Sequence, residues 1–278
     1  MKKIKGGEFT GERALFNSSD LKIENAHFHS GESPLKESKN IVLEGCEFGW
    51  KYPLWYCSDV SVFGTIINEY ARSGIWYTHG ISISDSLIEA PKTFRRSSGI
   101  KLDRVKITNA LETMWNCSDI ELNDVYIKGD YFGFGSSDVI CDNIEVDGNY
   151  IFDGGKNITV KNSKLISKDA FWNCENVVVE NCLIVGEYLG WNSKNVTFIN
   201  CTIESNQGMC YMDNVTLRGC KLVNTDLCFE YCTVDAEVNS HIDSVKNPIS
   251  GKIVADSIGE MIHEADKVDV SKTEIILR

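Results

Sequence analysis

A repeat of about 19 residues runs through the chain and restricts its fold more than any other feature of the sequence. Clear copies are NITVKNSKL from Asn157 and NVTFINCTI from Asn195. We take the first aliphatic residue of each copy as its anchor and number the other positions relative to it. Thirteen anchors follow one another at intervals of 19 to 21 residues: Leu21, Ile41, Val60, Ile81, Ile100, Ile120, Val139, Ile158, Val177, Val196, Val215, Val234 and Ile253.

The spacing within each copy predicts strands. The anchor and position +2 are aliphatic and mostly β-branched, and this alternation is typical of a strand with one buried face. Leucine-rich repeats have a similar period, but their fixed Leu and Asn scaffold is missing. The sequence therefore predicts an all-β fold, a right-handed single-stranded parallel β-helix of about 13 turns.

Two further columns support this register. Position +4 is mostly Asn, Asp or Gly, the residues that tolerate a left-handed corner, and stacked Asn side chains can hydrogen-bond along the column. Seven of the 11 cysteines fall at positions +5 and −3, which predicts buried small residues rather than metal ligands. These cysteines are Cys46, Cys182, Cys201, Cys220, Cys57, Cys117 and Cys174.

We predict a single domain over residues 1–278. Residues 1–20 are expected to cap the N-terminal end, 21–255 to form the repeats, and 256–278 to cap the C-terminal end. In that last segment Asp256 and Ser257 could begin a short helix through SIGEMIHEA, followed by a final strand, EIILR. The caps are expected because an open β-helix end exposes unpaired strand edges.

Composition narrows the functional classes. The net charge of −12 disfavours nucleic acid and anionic lipid as partners. No secretory signal or transmembrane run is recognisable, so we expect a cytoplasmic protein with reduced thiols and no membrane partner. Neither a Cys-x-x-Cys pair, nor a His-x-x-x-His pair, nor a Gly-rich phosphate loop occurs, and the sequence predicts no metal and no cofactor.

Position −5 is the column most informative about function, because five of the six tryptophans fall in it. The rings could stack inside a wide coil, or they could form an outer stripe on which sugar rings stack. Outward orientation is suggested by position −6, which is strongly apolar. The candidate ligand-binding residues are Trp55, Trp76, Trp115, Phe134, Trp172 and Trp191, with Arg95 and Arg96 from a local basic segment, KTFRRSS.

Three acidic residues near this column are candidate catalytic groups: Asp153, Asp169 and Glu187. Glycoside hydrolysis needs two carboxylates about 5 to 9.5 Å apart, which side chains one or two turns apart can satisfy. The alternative for Asp153 is a turn residue before Gly154 and Gly155. The alternative for Arg95 and Arg96 is that they belong to a charged surface exposed to solvent, without a binding role.

The segments GERALF, KYPLWYCSDV and ETMWNCSDI resemble an uncharacterised bacterial family of β-helix proteins, one of the domains of unknown function. The resemblance covers nearly the whole chain. It implies a pectin-lyase-like fold, but no catalytic residues are established for the family, so none can be transferred to this chain. The Asp clusters that hold calcium in pectate lyases are absent from the sequence.

Two functional hypotheses follow. The first is a carbohydrate-binding or carbohydrate-modifying protein that uses the aromatic column. If it is an enzyme, we expect a glycoside hydrolase or another enzyme that acts on polysaccharide. The second is a non-enzymatic scaffold whose flat aromatic face binds a protein partner or a second copy of the chain.

Overall fold

Short parallel strands joined by left-handed corners make up nearly all of the chain, which the computed structural model describes from Met1 to Arg278. The chain divides into two units, residues 1–144 and 145–278. In each unit the strands pair only in parallel, and each strand pairs with its counterparts in the neighbouring turns. This arrangement is a parallel β-solenoid, as the repeat predicts.

The first unit contains the following strands: β1 (Lys2–Lys5), β2 (Glu8–Phe9), β3 (Ser19–Glu24), β4 (His27–Phe28), β5 (Lys39–Glu44), β6 (Glu47–Phe48), β7 (Ser58–Phe63), β8 (Ile66–Ile67), β9 (Ile75–Trp76), β10 (His79–Ser84), β11 (Leu87–Ile88), β12 (Phe94–Arg95), β13 (Ser98–Asp103), β14 (Lys106–Ile107), β15 (Ser118–Asn123), β16 (Tyr126–Lys128) and β17 (Ser137–Asp142). The six-residue strands from β3 to β17 carry the anchors. The short strands that follow their corners form a second face.

The second unit contains β18 (Glu145–Asp147), β19 (Lys156–Lys161), β20 (Lys164–Ile166), β21 (Glu175–Glu180), β22 (Leu183–Glu187), β23 (Lys194–Ile199), β24 (Thr202–Asn206), β25 (Asp213–Val223), β26 (Thr233–Val238), β27 (His241–Lys246), β28 (Ser250–Ala255), β29 (Ser257–Ile262), a 3₁₀ turn (Val270–Lys272) and β30 (Thr273–Leu277). Strands β25 to β30 complete the C-terminal turns.

The predicted register is confirmed within each unit. Leu21 pairs with Ile41 in the first unit, and Val177 pairs with Val196 in the second. Both inward aliphatic positions of these turns are buried. The main sheets contain eight strands in the first unit and seven in the second, so there are about fifteen turns rather than thirteen. One extra turn is β1, which lies in the segment expected to be only a cap and pairs with β3.

The last anchor is wrong by two residues. Gly251, not Ile253, lies opposite Val234, while Ile253 lies opposite Ala236. Gly251 has a φ of 123°, and a Cβ on it would lie 1.8 Å from the main-chain oxygen of Val234. No other residue can occupy that point without displacing the chain, so the glycine allows the shortened turn.

The predicted C-terminal helix is also wrong. Ser257–Ile262 is a strand that pairs in parallel with β27, and Ile258 lies opposite Ile242. The capping residues Asp256 and Ser257 favour a helix locally, but pairing with the preceding turn satisfies the backbone and adds a neighbour. The final strand is confirmed as Thr273–Leu277.

Corners and cysteines follow the prediction. Asn162, Asn181 and Asn200 at position +4 all have left-handed φ values, between 51° and 56°. All 11 cysteines are buried free thiols. A tighter amide ladder lies at position −1, where Asn176, Asn195 and Asn214 each donate to the preceding asparagine at 3.0 Å.

Candidate functional site

The tryptophans at position −5 point outward but are not free in solvent. Each of the five is half-buried, whereas the residue before it is buried in all five turns, as at Leu54, Ile75, Met114 and Phe171. Alternation along the chain therefore directs the tryptophans to the outer surface, and the interior stack considered from the sequence is not formed.

Four of these indoles donate hydrogen bonds to the backbone. Each Nε1–H donates a hydrogen bond to the main-chain oxygen at position −8 of the next turn, a residue with left-handed φ between 49° and 58°. The pairs are Trp55 with Ser73, Trp76 with Lys92, Trp115 with Tyr131, and Trp172 with Tyr188. These indole donors hold successive turns together and are already occupied, so a ligand would meet ring carbons.

In the first unit the column is a closed stack from Trp55 to Trp115. The rings of Trp55 and Trp76 lie 5.1 Å apart with planes 8° from parallel. The Arg95 guanidinium occupies the next place, 4.7 Å from the ring centres of both Trp76 and Trp115. Trp115 continues to Phe134 at 5.0 Å, with the two ring planes tilted by 42°. Parallel packing covers the facing sides of Trp55 and Trp76, and Arg95 acts as a spacer between the indoles of Trp76 and Trp115 rather than as an open ligand-binding group.

A second exposed column runs beside it at position −4. Tyr56 and Tyr77 stack at 4.7 Å with planes 7° apart, and Tyr56 is 48% exposed. The Arg96 guanidinium lies 6.0 Å from the centre of the Tyr77 ring. The Lys36 ammonium lies 5.5 Å from the centre of the Tyr56 ring. These tyrosines were not among the predicted binding residues. Each directly follows a tryptophan of the column, in LWYC and in IWYT, and this repeated placement could have indicated a second aromatic column.

The basic segment around Arg95 and Arg96 is largely neutralised. Glu112 lies 3.0 Å from the Lys92 ammonium and 3.5 Å from the Arg95 guanidinium. Arg104 makes two hydrogen bonds to Asp85, at 2.7 and 2.8 Å, which raise the pKa of its guanidinium and lower the pKa of the Asp85 carboxyl. These cations are therefore poorly placed to attract an anionic ligand.

The second unit arranges its rings differently. Its aromatic cluster, as we call Tyr150, Trp172, Tyr188, Trp191 and Tyr211, is tilted rather than stacked. Trp172 and Trp191 lie 6.0 Å apart at 36°, and Trp191 and Tyr211 lie 4.7 Å apart at 37°. Tyr150 meets Trp172 edge to face at 86°, and Tyr188 meets Trp191 at 83°. Tilted rings leave part of each face uncovered by its neighbour, unlike the parallel rings of Trp55 and Trp76 in the first unit.

Asp169 stands within this cluster, at the position that Tyr150 and Tyr188 occupy in the adjoining turns. Its side chain is 1% exposed, and its Oδ2 has no hydrogen-bond partner. Burial raises the pKa of the Asp169 carboxyl, the Lys168 charge and a hydrogen bond with Tyr150 lower it, and the charges of Glu187 and Asp153 raise it further. A buried carboxyl with an unused oxygen is costly, and such a group is a candidate functional site.

The other two predicted acids lie near enough to influence Asp169. Asp153 is half-buried, and its Oδ1 accepts a hydrogen bond of 2.8 Å from Asn173 Nδ2. Glu187 Oε2 lies 3.6 Å from the Lys168 ammonium, which itself lies 5.6 Å from the centre of the Tyr188 ring. The structure thus brings Asp153, Asp169 and Glu187 into one neighbourhood with Trp172 and Trp191, while the other predicted binding residues lie in the first unit.

No group of three or more histidine, cysteine, aspartate or glutamate side chains is arranged to hold a metal ion. The structure contains no helix of the length and hydrophobicity needed to cross a membrane.

Comparison with solved structures gives weak similarities. Full-length QnrB1, described as a plasmid-mediated fluoroquinolone resistance protein, is 13% identical with a TM-score of 0.37, covering 71% of this chain and 93% of that one. A tailspike protein of E. coli bacteriophage HK620, solved with a pentasaccharide, is 11% identical with a TM-score of 0.33, covering 91% of this chain and 58% of that one.

The A-module of the mannuronan C-5 epimerase AlgE4 of Azotobacter vinelandii is 10% identical with a TM-score of 0.31, covering 99% of this chain and 88% of that one. Similarities this low assign no activity. A search of curated proteins found no match to the chain.

One family model accounts for almost the whole sequence. It matches residues 2–276, which include the aromatic columns of both units and the C-terminal strands. The chain belongs to the family described as "Protein of unknown function (DUF3737)".

Proposed function

We propose that the protein binds an oligosaccharide on the aromatic cluster of the second unit. The observation that carries this proposal is Asp169, a carboxylate with an unused oxygen among tilted, half-exposed rings. Sugar rings pack their C–H faces on aromatic rings, while their hydroxyl groups need polar partners. Binding sites typically combine an aromatic lining with a few polar groups of this kind.

Ring geometry favours the second unit over the first. Trp76 is covered on one face by Trp55 and on the other by Arg95, which also covers one face of Trp115, so the first unit offers less free ring face. Trp191 and Tyr211 are inclined by 37°, and Tyr211 is 41% exposed. A sugar could therefore reach a ring face in the cluster without first breaking a parallel stack.

Charge favours a neutral or weakly charged ligand. Asp153, Asp169 and Glu187 share the site, and the nearby ammonium of Lys168 is paired with Glu187. A polyanionic glycan would meet local repulsion added to the net charge of −12.

The test is calorimetric titration of the full chain with neutral oligosaccharides of at least four residues, supported by tryptophan fluorescence. Tyr211→Ala should weaken binding about 5- to 30-fold, because stacking energy of about 1 to 2 kcal/mol is lost. Tyr56→Ala is the matched control, since Tyr56 occupies the same position −4 and is similarly exposed, 48% against 41%.

Unchanged binding by Tyr211→Ala, or equal losses in the two variants, would contradict the location. No binding to any neutral glycan at millimolar concentration would contradict the function itself. Urea denaturation of both variants shows whether a loss reflects unfolding.

Chemistry on a bound glycan would depend on Asp169. A carboxyl whose pKa is raised keeps its proton to higher pH and can protonate the oxygen of a leaving group. Asp153 or Glu187 would supply the second carboxylate that glycosidic hydrolysis needs. Asp169→Asn should then abolish the release of reducing ends while sugar binding stays within about threefold of the wild type.

A second candidate function is self-association through Tyr56 and Tyr77. Their stack is exposed and flanked by Arg96 and Lys36, and tyrosine with arginine is a composition enriched at protein interfaces. Light scattering after gel filtration should show a dimer that Tyr56→Ala converts to a monomer. A monomeric wild-type protein at about 100 μM would exclude a stable dimer of this kind.

A further inference from the structure

We propose that His27 and His29 bind a divalent transition-metal ion on the outer face of the first unit, independently of the proposed sugar site. His27 is in β4 and His29 follows it by two residues, so alternation along the strand puts both rings on the same side. Their ring centres lie 6.0 Å apart with planes 13° from parallel. The side chains are 45% and 51% exposed, so an ion can reach them.

Each imidazole already has a carboxylate partner on one nitrogen. His27 Nδ1 lies 3.1 Å from Glu47 Oε2, and His29 Nε2 is paired with Glu8 Oε2. Nε2 of His27 and Nδ1 of His29 remain for a metal. Histidine ligands commonly use their second nitrogen in this way, to hydrogen-bond a carboxylate that fixes the tautomer and strengthens the ligand.

The solenoid register creates this arrangement. Glu8, His27 and Glu47 lie directly opposite one another on β2, β4 and β6, one turn apart. Asn68, one turn beyond, donates its Nδ2 to Glu47 Oε1 at 3.3 Å. Glu47 is therefore held between an imidazole and an amide, and it supports His27 from the neighbouring turn.

The donor set selects the class of ion. Two imidazoles suit Zn²⁺, Ni²⁺ or Cu²⁺, whereas Mg²⁺ and Ca²⁺ prefer sites made of oxygen. Because the two rings stack and three ligands are not already gathered about one point, the imidazoles would turn towards a shared ion and water would take the remaining positions. The pair follows the strand spacing His-x-His, which places both side chains on one face, and not the helical spacing His-x-x-x-His.

The experiment is calorimetric titration of the full chain with Ni²⁺. We expect one ion per chain, with affinity reduced at least about tenfold by His27→Ala and by His29→Ala. Glu47→Gln should also reduce it about 10- to 100-fold, the usual effect of removing a carboxylate that orients a histidine ligand. His79→Ala is the matched control, because His79 is an exposed histidine whose ring contacts Ser98 instead of a second imidazole.

Cu²⁺ spectroscopy gives an independent measurement, since hyperfine coupling to two nitrogens should appear in the wild-type protein and to one in either single variant. Binding that persists in the doubly substituted protein would overturn the proposal, as would an equal loss in His79→Ala. So would the absence of Ni²⁺ binding at millimolar concentration. Thermal melts without metal check that the variants remain folded.

Discussion

The Arg95 guanidinium lies 4.7 Å from the centre of the Trp115 ring, and Trp76 lies at the same distance on its other side. One cation thus replaces a ring in the aromatic column without interrupting it. Its side chain is only 22% exposed, so this contact is partly desolvated. The electrostatic attraction of a cation to a ring face is strongest in that setting.

Replacement of Arg95 should therefore destabilise the first unit. We expect Arg95→Ala to lower the free energy of unfolding by about 1 to 2 kcal/mol, and Arg95→Trp to restore most of it by continuing the stack. Arg96→Ala, at the exposed neighbouring position, should cost less than about 0.5 kcal/mol. Urea denaturation measures all three, and equal effects of the two alanine variants would refute the spacer role.

Strand β21 provides a paired test of the interior. Val177 is fully buried, whereas Val178, the next residue, is 36% exposed on the opposite face. Val177→Asp should lower the free energy of unfolding by more than about 3 kcal/mol, because the carboxylate has no partner inside the coil. Val178→Asp should be nearly neutral. Comparable stability of the two variants in circular dichroism melts would show that the register is wrong.

Ile184 gives the same prediction from the neighbouring face of that turn, in β22. It is 1% exposed, and Ile184→Asp should lower the free energy of unfolding as much as Val177→Asp does. Lys164, exposed on β20, offers a tolerant site for comparison, since Lys164→Asp exchanges its surface ion pair with Glu145 for a solvent-screened repulsion between two exposed carboxylates. A stable Ile184→Asp protein would contradict the inward direction of Ile184, seven residues after the anchor Val177.

The buried thiols predict a loss of stability at high pH. Burial raises the pKa of Cys174 to about 12 and that of Cys57 to about 11. An unfolded thiol loses its proton near pH 8.5, so folding binds extra protons above that pH. The stabilisation is complete below pH 8.5 and is lost as the pH rises towards 11 to 12, at up to about 1.4 kcal/mol per pH unit for each thiol.

Urea denaturation at pH 8, 9 and 10 measures this slope, and Cys174→Ala should reduce it by the contribution of one proton. A thiol reagent should leave the native protein unmodified at pH 8 and modify all 11 cysteines in denaturant. Rapid modification of the native protein would show that the interior columns open readily.

Asp169 predicts a pH dependence in acid. Burial raises its pKa in the folded protein, so this group favours folding most below its unfolded pKa of about 3.9 and does so less as the pH rises through its folded pKa. Asp169→Asn removes the buried charge and should stabilise the protein at pH 7 by about 1 kcal/mol or more, with little difference at pH 3. Asp153→Asn, at a half-buried acid with a hydrogen-bond partner, serves as the control. A destabilised Asp169→Asn protein at pH 7 would contradict the cost assigned to this carboxylate.

Much of the fold follows from residues that are close in sequence. Ile158 and Val160 take the two inward positions of a strand, Asn162 takes a left-handed corner, and 19 residues later Val177, Val179 and Asn181 do the same. This pattern predicts strand, corner and register together. It fails at Gly251, where one residue without a side chain permits a shorter turn, and at Ser257, where pairing with β27 overrides a local helix signal.

The sequence by itself determined the β-solenoid, its period, its buried cysteine columns and the position of the aromatic column. Only the tertiary structure decided what each column presents to solvent. The Arg95 guanidinium covers a face of the Trp76 ring, whereas the Trp191 ring is tilted relative to that of Tyr211. The Oδ2 atom of Asp169 has no hydrogen-bond partner. Glu8 and Glu47 join the two histidines from different turns. Strand alternation is local and is visible along the chain, whereas ring angles, burial and contacts depend on side chains about 20 residues apart that meet only when the turns stack.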